Sequence, residues 1–240
     1  MTGAASGIGR ASALVLAKAG CSLVLTDIKA HAVEETVSAV SDLGAKAVPI
    51  VLDVRDGAAV QAASKHALAE YGRVDIVFSN AGIGRQVPFL DMTDGQWDEM
   101  FDVHVTGTYH CYQAFLPGMV ERGWGRLICT SSMGALTGGV GLVHYCAAKA
   151  GLAGLTVAMA SELARTGVTV NAVAPGVIDT PMVRQSSDNW INKIERTIPQ
   201  KRLGTPDDIA YAVAYFASEQ AGFVTGQVLS PNGGSYTKWC

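Results

Sequence analysis

Residues 2–9, Thr2-Gly3-Ala4-Ala5-Ser6-Gly7-Ile8-Gly9, place three glycines directly ahead of a helix-forming run. Glycine lets the backbone turn sharply and approach an anion closely, while a helix opening near Ile8 aims its N-terminus at the same anion. The next apolar run, Ser22 to Thr26, ends at Asp27, about 20 residues beyond the turn. A carboxylate in that place accepts hydrogen bonds from ribose hydroxyls. The pair therefore reads as a dinucleotide cradle, with Gly3, Ser6, Gly7, Ile8 and Gly9 at the pyrophosphate and Asp27 at the ribose. A carboxylate also repels a 2′-phosphate, so NAD is favoured over NADP.

Outward from this turn, β-branched apolar runs recur: Ala47 to Leu52, Val74 to Ser79, Arg126 to Ser131 and Val168 to Ala174. Each precedes a helical pattern, and such alternation predicts a doubly wound, Rossmann-type α/β fold with a parallel sheet. Ligands of these sheets gather at the carboxyl ends of the strands. With no internal repeat or linker, residues 1–240 read as a single domain with one continuous core.

Bulk properties narrow the functional classes. Apolar residues make up 49% and charged residues 16%, which favours a packed globule over disorder. The formal charge of -3, without any lysine or arginine run, argues against a nucleic-acid partner. No apolar stretch reaches the roughly 18 residues of a membrane span, and the glycine turn starts too early to leave room for a signal peptide. Cys21, Cys111, Cys129, Cys146 and Cys240 are odd in number and form no CxxC pair, so reduced thiols in a cytoplasmic protein are expected. His110 and His144 lack ligand spacing, and no metal site is expected.

A second motif supplies proton chemistry. In Tyr145-Cys146-Ala147-Ala148-Lys149 the tyrosine and lysine lie four residues apart, on one face of the helix they open. A phenol titrates near 10, and an adjacent ammonium is expected to lower that value and make Tyr145 a usable general acid/base. Ser132, thirteen residues earlier, ends a strand and is placed to hydrogen-bond a substrate oxygen. Ser131 is its rival, and strand alternation lets only one of the two face the cleft.

The order of the glycine turn, Ser79-Asn80-Ala81-Gly82, Ser132 and Tyr145/Lys149 resembles the classical short-chain dehydrogenase/reductase family, from Thr2 to about Gly234. The resemblance implies an NAD-dependent oxidoreductase that interconverts a secondary alcohol and a ketone. It places Asp53 and Val54 at the adenine, and Asn80, Ala81 and Gly82 on the adenosine side. Pro175 and Gly176 would shape the nicotinamide wall, Val177 and Thr180 would meet the carboxamide, and Lys149 would also bind the nicotinamide ribose. NADP-using members commonly carry a basic residue at the place of Ser6, which here is neutral, or soon after the second strand, where Lys29 stands. Tetramers of the family pack along the tyrosine helix, so a homotetramer is expected; that helix carries Ala147, Ala148, Gly151, Ala153 and Gly154.

Two departures from the family pattern stand out. His104 replaces an asparagine that holds a water beside the lysine, and an imidazole could continue that relay or break it. The glycine turn of the family follows a first strand, whereas here only Met1 precedes it. Most of that strand is expected to be missing, leaving ladder groups of its neighbours unpaired; the alternative is that Met1 opens a shortened strand. These departures keep open a chain that binds dinucleotide without turnover. Within the family, a 3-oxoacyl-thioester reductase is the further alternative. The segment 181–200 is expected to cover the substrate as irregular chain. Met133, Leu136, Leu142, Met182 and Trp190 are candidate apolar walls, and Arg85, Arg184 and Lys193 are candidate polar contacts.

Overall fold

A computed structural model describes residues 1–237 of the chain, so Cys240 lies outside the described residues. In chain order its main elements are α1 (Gly7–Lys18), β1 (Leu23–Asp27), α2 (Ala30–Ser41), β2 (Ala47–Val51), α3 (Gly57–Tyr71) and β3 (Ile76–Ser79). Then come α4 (Asp94–Phe101), a π-helical turn (Asp102–Thr106), α5 (Gly107–Arg122), β4 (Gly125–Thr130), α6 (Gly134–Thr137) and α7 (Val143–Glu162). The chain closes through β5 (Val168–Val173), α8 (Asp188–Thr197), α9 (Pro206–Ala217) and β6 (Val228–Leu229).

All strand pairs are parallel: β1 with β2, and β3-β4-β5-β6 in that order. Side-chain alternation sends successive residues to opposite faces. Phe78, Ile128 and Val173 accordingly join one apolar layer with α1, α2 and α9. Val77, Leu127, Cys129, Val170 and Ala172 join a second layer with α3, α5 and α7. Helices on both faces of a parallel sheet make the fold the expected doubly wound one.

Among the described residues, Thr2 links the two parts of the sheet, forming a parallel bridge with Thr26 of β1. Thr2 N–H also donates to Phe78 C=O at 3.0 Å, so this residue lies between β1 and β3. Two other elements were not expected. β6 is a two-residue edge strand on β5. The covering segment is not irregular as expected, because Ser187 accepts the Trp190 N–H and caps α8, whose Ile191 is buried with Ile194 and Ile198. Among the described residues no helix is long and apolar enough to cross a membrane.

Candidate active site

The glycine turn is fixed by its neighbours. Gly3 has φ +65°, and a Cβ there would stand 2.8 Å from Ala81 Cα. A Cβ on Gly9 would run into the Gly3 carbonyl. Both positions therefore admit only hydrogen, and the backbone packs against itself ahead of α1. Ser6 caps α1 without a side-chain hydrogen bond and is exposed. That leaves the first N–H groups of the helix open toward the cleft, as an anion site requires. The absence of side-chain bulk at Gly3 and Gly9 together with this open helix end fits a dinucleotide pyrophosphate.

Asp27, at the end of β1, accepts Ala5 N–H at 3.0 Å on one carboxylate oxygen and Lys29 N–H at 3.1 Å on the other. It thus ties strand end to glycine turn while keeping lone pairs free for further donors. Asn80 ties the next strand in the same way. Its amide donates to Thr2 and Gly3 carbonyls at 3.3 and 3.2 Å and accepts from Thr130 Oγ1 at 3.0 Å. Thr2 Oγ1 in turn accepts the N–H groups of Asn80 and Ala81, both at 3.0 Å. The sequence reading had used Thr2 only as a motif boundary.

Asp53 is occupied by Arg55, with the closest oxygen 2.6 Å away, and this partner holds its carboxyl below the usual range. Val54 is buried, and its carbonyl faces His110 Nδ1 at 3.0 Å. Pro175 C=O accepts Met133 N–H at 3.0 Å, which joins the segment after β5 to the serine segment after β4. Gly176 packs on Asn232, and Val177 C=O accepts Gly204 N–H at 3.0 Å. Thr180 lies over Gly7, 3.2 Å from the place of its missing Cβ. The glycine turn and the Pro175–Thr180 segment therefore meet across the same cleft.

On the opposite wall, Ser131 is turned into the core and donates to Lys149 C=O at 2.8 Å. Ser132 is left on the cleft side, beside Tyr145. Ser132 Oγ accepts Gly134 N–H at 3.0 Å, so its own proton remains available to another acceptor. Lys149 is buried, its Nζ donates to Thr130 C=O at 2.6 Å, and it stands 5.7 Å from the Tyr145 ring centroid. Burial lowers its pKa to about 8. The sequence reading had not foreseen the carbonyl of Thr130 as its anchor.

The Tyr145 phenol departs from expectation. Burial raises its pKa, outweighing the nearby Ser132 hydroxyl, which acts the other way. Lys149 has turned to a backbone carbonyl and is too distant to reverse this. In the free protein Tyr145 is therefore a protonated acid at neutral pH.

His104 lies in the π-helical turn, its ring edge-on to Tyr145 with centroids 5.6 Å apart. Gly82 makes room for it, since a Cβ there would stand 2.6 Å from the imidazole. Its Nε2 lies 2.9 Å from Ile83 C=O. Burial, then the charge of Lys149, push its pKa well below 6.5. The ring is neutral, its Nε2 also lies 3.4 Å from Ile83 N, the shorter contact to the carbonyl pairs best with the Nε2–H tautomer, and the buried Nδ1 has no partner.

Of the candidate walls, Met182 covers Gly84, its sulfur 2.9 Å from where a Cβ would be, which lays the covering segment on the loop after β3. Leu142 packs on Gly139, and Leu136 is exposed. Arg184 is held by Asp179, and Arg85 stands 3.6 Å from Glu99.

A turn that fits a dinucleotide, facing Ser, Tyr and Lys at adjoining strand ends, defines a nicotinamide-dinucleotide oxidoreductase of the short-chain type. The chain belongs to the short-chain dehydrogenase/reductase family. Residues 3–236 match the family model adh_short_C2, described as enoyl-(acyl carrier protein) reductase. The chain is 40% identical over 234 residues to (2S)-[(R)-hydroxy(phenyl)methyl]succinyl-CoA dehydrogenase subunit BbsD of Thauera aromatica, covering 98% of this chain and 94% of that one. It is 38% identical over 237 residues to the 3-oxoacyl-[acyl-carrier-protein] reductase FabG of Escherichia coli K12, covering 98% and 96%. The crystal structure of levodione reductase superposes with a TM-score of 0.93 at 35% identity, covering 97% of this chain and 95% of that one.

Proposed function

We propose that this protein is an NAD-dependent oxidoreductase that interconverts a secondary alcohol and a ketone. The observation that carries the reading is the meeting of Ser132, Tyr145 and Lys149 at the carboxyl end of β4, across the cleft from the glycine turn. When bound, the nicotinamide supplies the hydride acceptor or donor. Ser132, with its O–H free, donates to the substrate oxygen and steadies charge that develops there. Tyr145 gives its phenolic proton to the same oxygen during reduction and takes it back during oxidation. Because burial raises its pKa, reduction starts from the form present at neutral pH, and oxidation requires a nearby positive charge to draw the proton off. Lys149 would supply that charge were its ammonium to turn from the Thr130 carbonyl toward a bound nicotinamide ribose.

Asp27 supports NAD. Its carboxylate is fixed by two backbone donors and is negative, so it receives ribose hydroxyls and repels a phosphate. In this reading Asp53 and Val54 border the adenine, and Asn80, Ala81 and Gly82 border the adenosine. Pro175 and Gly176 shape the nicotinamide wall, with Val177 and Thr180 toward the carboxamide. We also assign a homotetramer, supported by the exposed Val143, Gly154 and Val157 along α7 and Tyr109 on α5, and a cytoplasmic location, supported by the free thiols of Cys21, Cys111, Cys129 and Cys146.

A second reading concerns the substrate. Both sequence relatives are named for acyl groups on CoA or acyl carrier protein, which supports a 3-oxoacyl or 3-hydroxyacyl thioester as the ketone or alcohol. One assay separates these readings: NADH and NADPH absorbance followed against simple secondary alcohols, cyclic alcohols and hydroxyacyl thioesters. Higher efficiency with NAD, narrowed or reversed by Asp27→Ser with Ile28→Arg, is the expected result. Equal efficiency with both cofactors in the parent protein overturns the assignment of NAD.

A further inference from the structure

β2 ends beside β1, with Val51 opposite Asp27, and Leu52 N–H carries the ladder one step further onto Asp27 C=O at 2.9 Å. The chain then turns sharply. Asp53 C=O accepts Asp56 N–H at 3.1 Å, and Asp53 Oδ1 accepts Arg55 N–H at 3.0 Å, the double use of side chain and backbone that an aspartate at the head of a turn allows. Asp56 caps α3 by accepting Ala59 N–H at 3.0 Å.

The back of this turn is held by α5. Gly107 admits the Val54 side chain, since a Cβ on Gly107 would stand 2.6 Å from Val54 Cγ2. Three residues on, His110 Nδ1 lies 3.0 Å from Val54 C=O. Positions three apart share a helix face, so α5 grips the side chain and the carbonyl of one residue from the same side. A carbonyl only accepts, so Nδ1 carries the proton. The other ring nitrogen, Nε2, meets Gly57 at the start of α3, 2.9 Å from the place of its missing Cβ. The half-buried imidazole thus fills the space between the two helices.

One donor of the turn is left over. A trans peptide points its N–H away from its C=O, and Asp53 C=O is turned toward Asp56, so Val54 N–H faces out of the turn. It meets no acceptor among the described residues. The Asp53 carboxylate beside it is taken by the Arg55 guanidinium through contacts of 2.6 to 3.0 Å.

We infer that His110 is a positioning residue for the base of the cofactor: its Nδ1–H holds the Val54 carbonyl and so sets Val54 N–H against the acceptor nitrogen N1 of adenine. The inference rests on the cofactor reading above. A dinucleotide whose ribose sits on Asp27 carries its base toward the end of the neighbouring strand, where this turn stands. A fixed backbone donor there distinguishes bases, because adenine N1 accepts a hydrogen bond whereas hypoxanthine N1 carries a proton of its own.

The test titrates NADH by fluorescence on the full chain, with adenosine monophosphate (AMP) and inosine monophosphate (IMP) as competitors. Three proteins are compared: the parent, His110→Leu, which keeps bulk against Gly57 and removes the donor, and His110→Asn, whose amide places a donor equally far from Cβ. In the parent, AMP should compete about tenfold better than IMP. In His110→Leu, AMP and NADH affinity should each fall about tenfold while IMP changes little, so the preference disappears. His110→Asn should restore AMP to within about threefold of the parent. Equal weakening of AMP and IMP, or a loss in His110→Asn as large as in His110→Leu, reduces the imidazole to packing and overturns the inference. Unchanged AMP affinity in His110→Leu, or a parent that does not distinguish the two nucleotides, overturns it too. A parent that binds no NADH overturns the cofactor reading itself; every other failure leaves that reading standing.

Discussion

The two walls of the cleft differ in how firmly they are built. β4, which leads into Ser132 and anchors Lys149 through Thr130, is paired along its length with β5 and over four residues with β3. The glycine turn hangs on the Thr2 bridge, the Ala4 bond to Thr26, the Thr36 hydroxyl on Ala4 C=O and the Asn80 amide. Proton chemistry thus resides on continuous sheet, and cofactor affinity resides on the turn that Thr2 ties between β1 and β3. The comparison teaches that each wall can be damaged with little effect on the other.

The sharpest break is on the catalytic wall. Tyr145→Phe removes the transferable proton and keeps the ring against His104, so turnover is expected to fall about 1000-fold or more. NADH affinity, followed by fluorescence, should stay within a few-fold of the parent, because the glycine turn is untouched. A variant with near-normal turnover shows that Tyr145 is not the acid/base.

Gly9→Ala breaks the other wall. The added methyl meets the Gly3 carbonyl, and a strain of about 3 kcal/mol corresponds to roughly 100-fold weaker NADH binding. Titration should show this loss while turnover at saturating cofactor falls far less. Equal losses in both quantities mean that the walls are not separable.

Acid stability distinguishes the walls more gently. Lys149 falls from 10.5 to about 8 on folding, so the unfolded chain binds more protons between these values, and stability rises with pH across that window. The buried ammonium therefore costs about 3 kcal/mol below pH 8. Lys149→Met is expected to be more stable than the parent at pH 7 in urea melts, with the difference gone near pH 10.5. The raised Cys111 and Tyr112 pKa values act oppositely at high pH and have causes other than Lys149, so they act equally in both proteins. A difference independent of pH assigns the effect to packing.

Sequence alone revealed the elements whose signal is local. Five strands announced themselves as β-branched runs, and the motifs fell at their carboxyl ends. β6 was missed because Val228–Leu229 is too short to show a period. α8 was missed although Ile191, Ile194 and Ile198 repeat at helical spacing after a Ser187 cap, a signal that was present. The choice between Ser131 and Ser132 needed the fold, since it depends on which hydroxyl reaches Lys149 C=O. The rise in the Tyr145 pKa was hidden for the same reason: spacing places a lysine on the right helix face but says nothing of the Thr130 carbonyl that holds it.

The smallest effect is expected at His104, where the walls meet through the loop after β3. A proton relay through the imidazole would require it to titrate near neutrality, yet burial and Lys149 keep it neutral and Nε2–H is committed to Ile83 C=O. Its part is positioning: it holds the Gly82–Ile83 backbone and stands edge-on to Tyr145. An asparagine amide can donate to the same carbonyl, so His104→Asn should keep activity within about threefold of the parent, a difference under 1 kcal/mol. His104→Ala leaves that carbonyl unpaired beside a cavity and should cost about tenfold. Because burial holds the His104 pKa well below 6.5 and asparagine does not titrate, the pH profiles of parent and His104→Asn should have the same shape from pH 6.5 to 10. An inflection near pH 6 to 7 in the parent that disappears in His104→Asn shows instead that the imidazole carries protons.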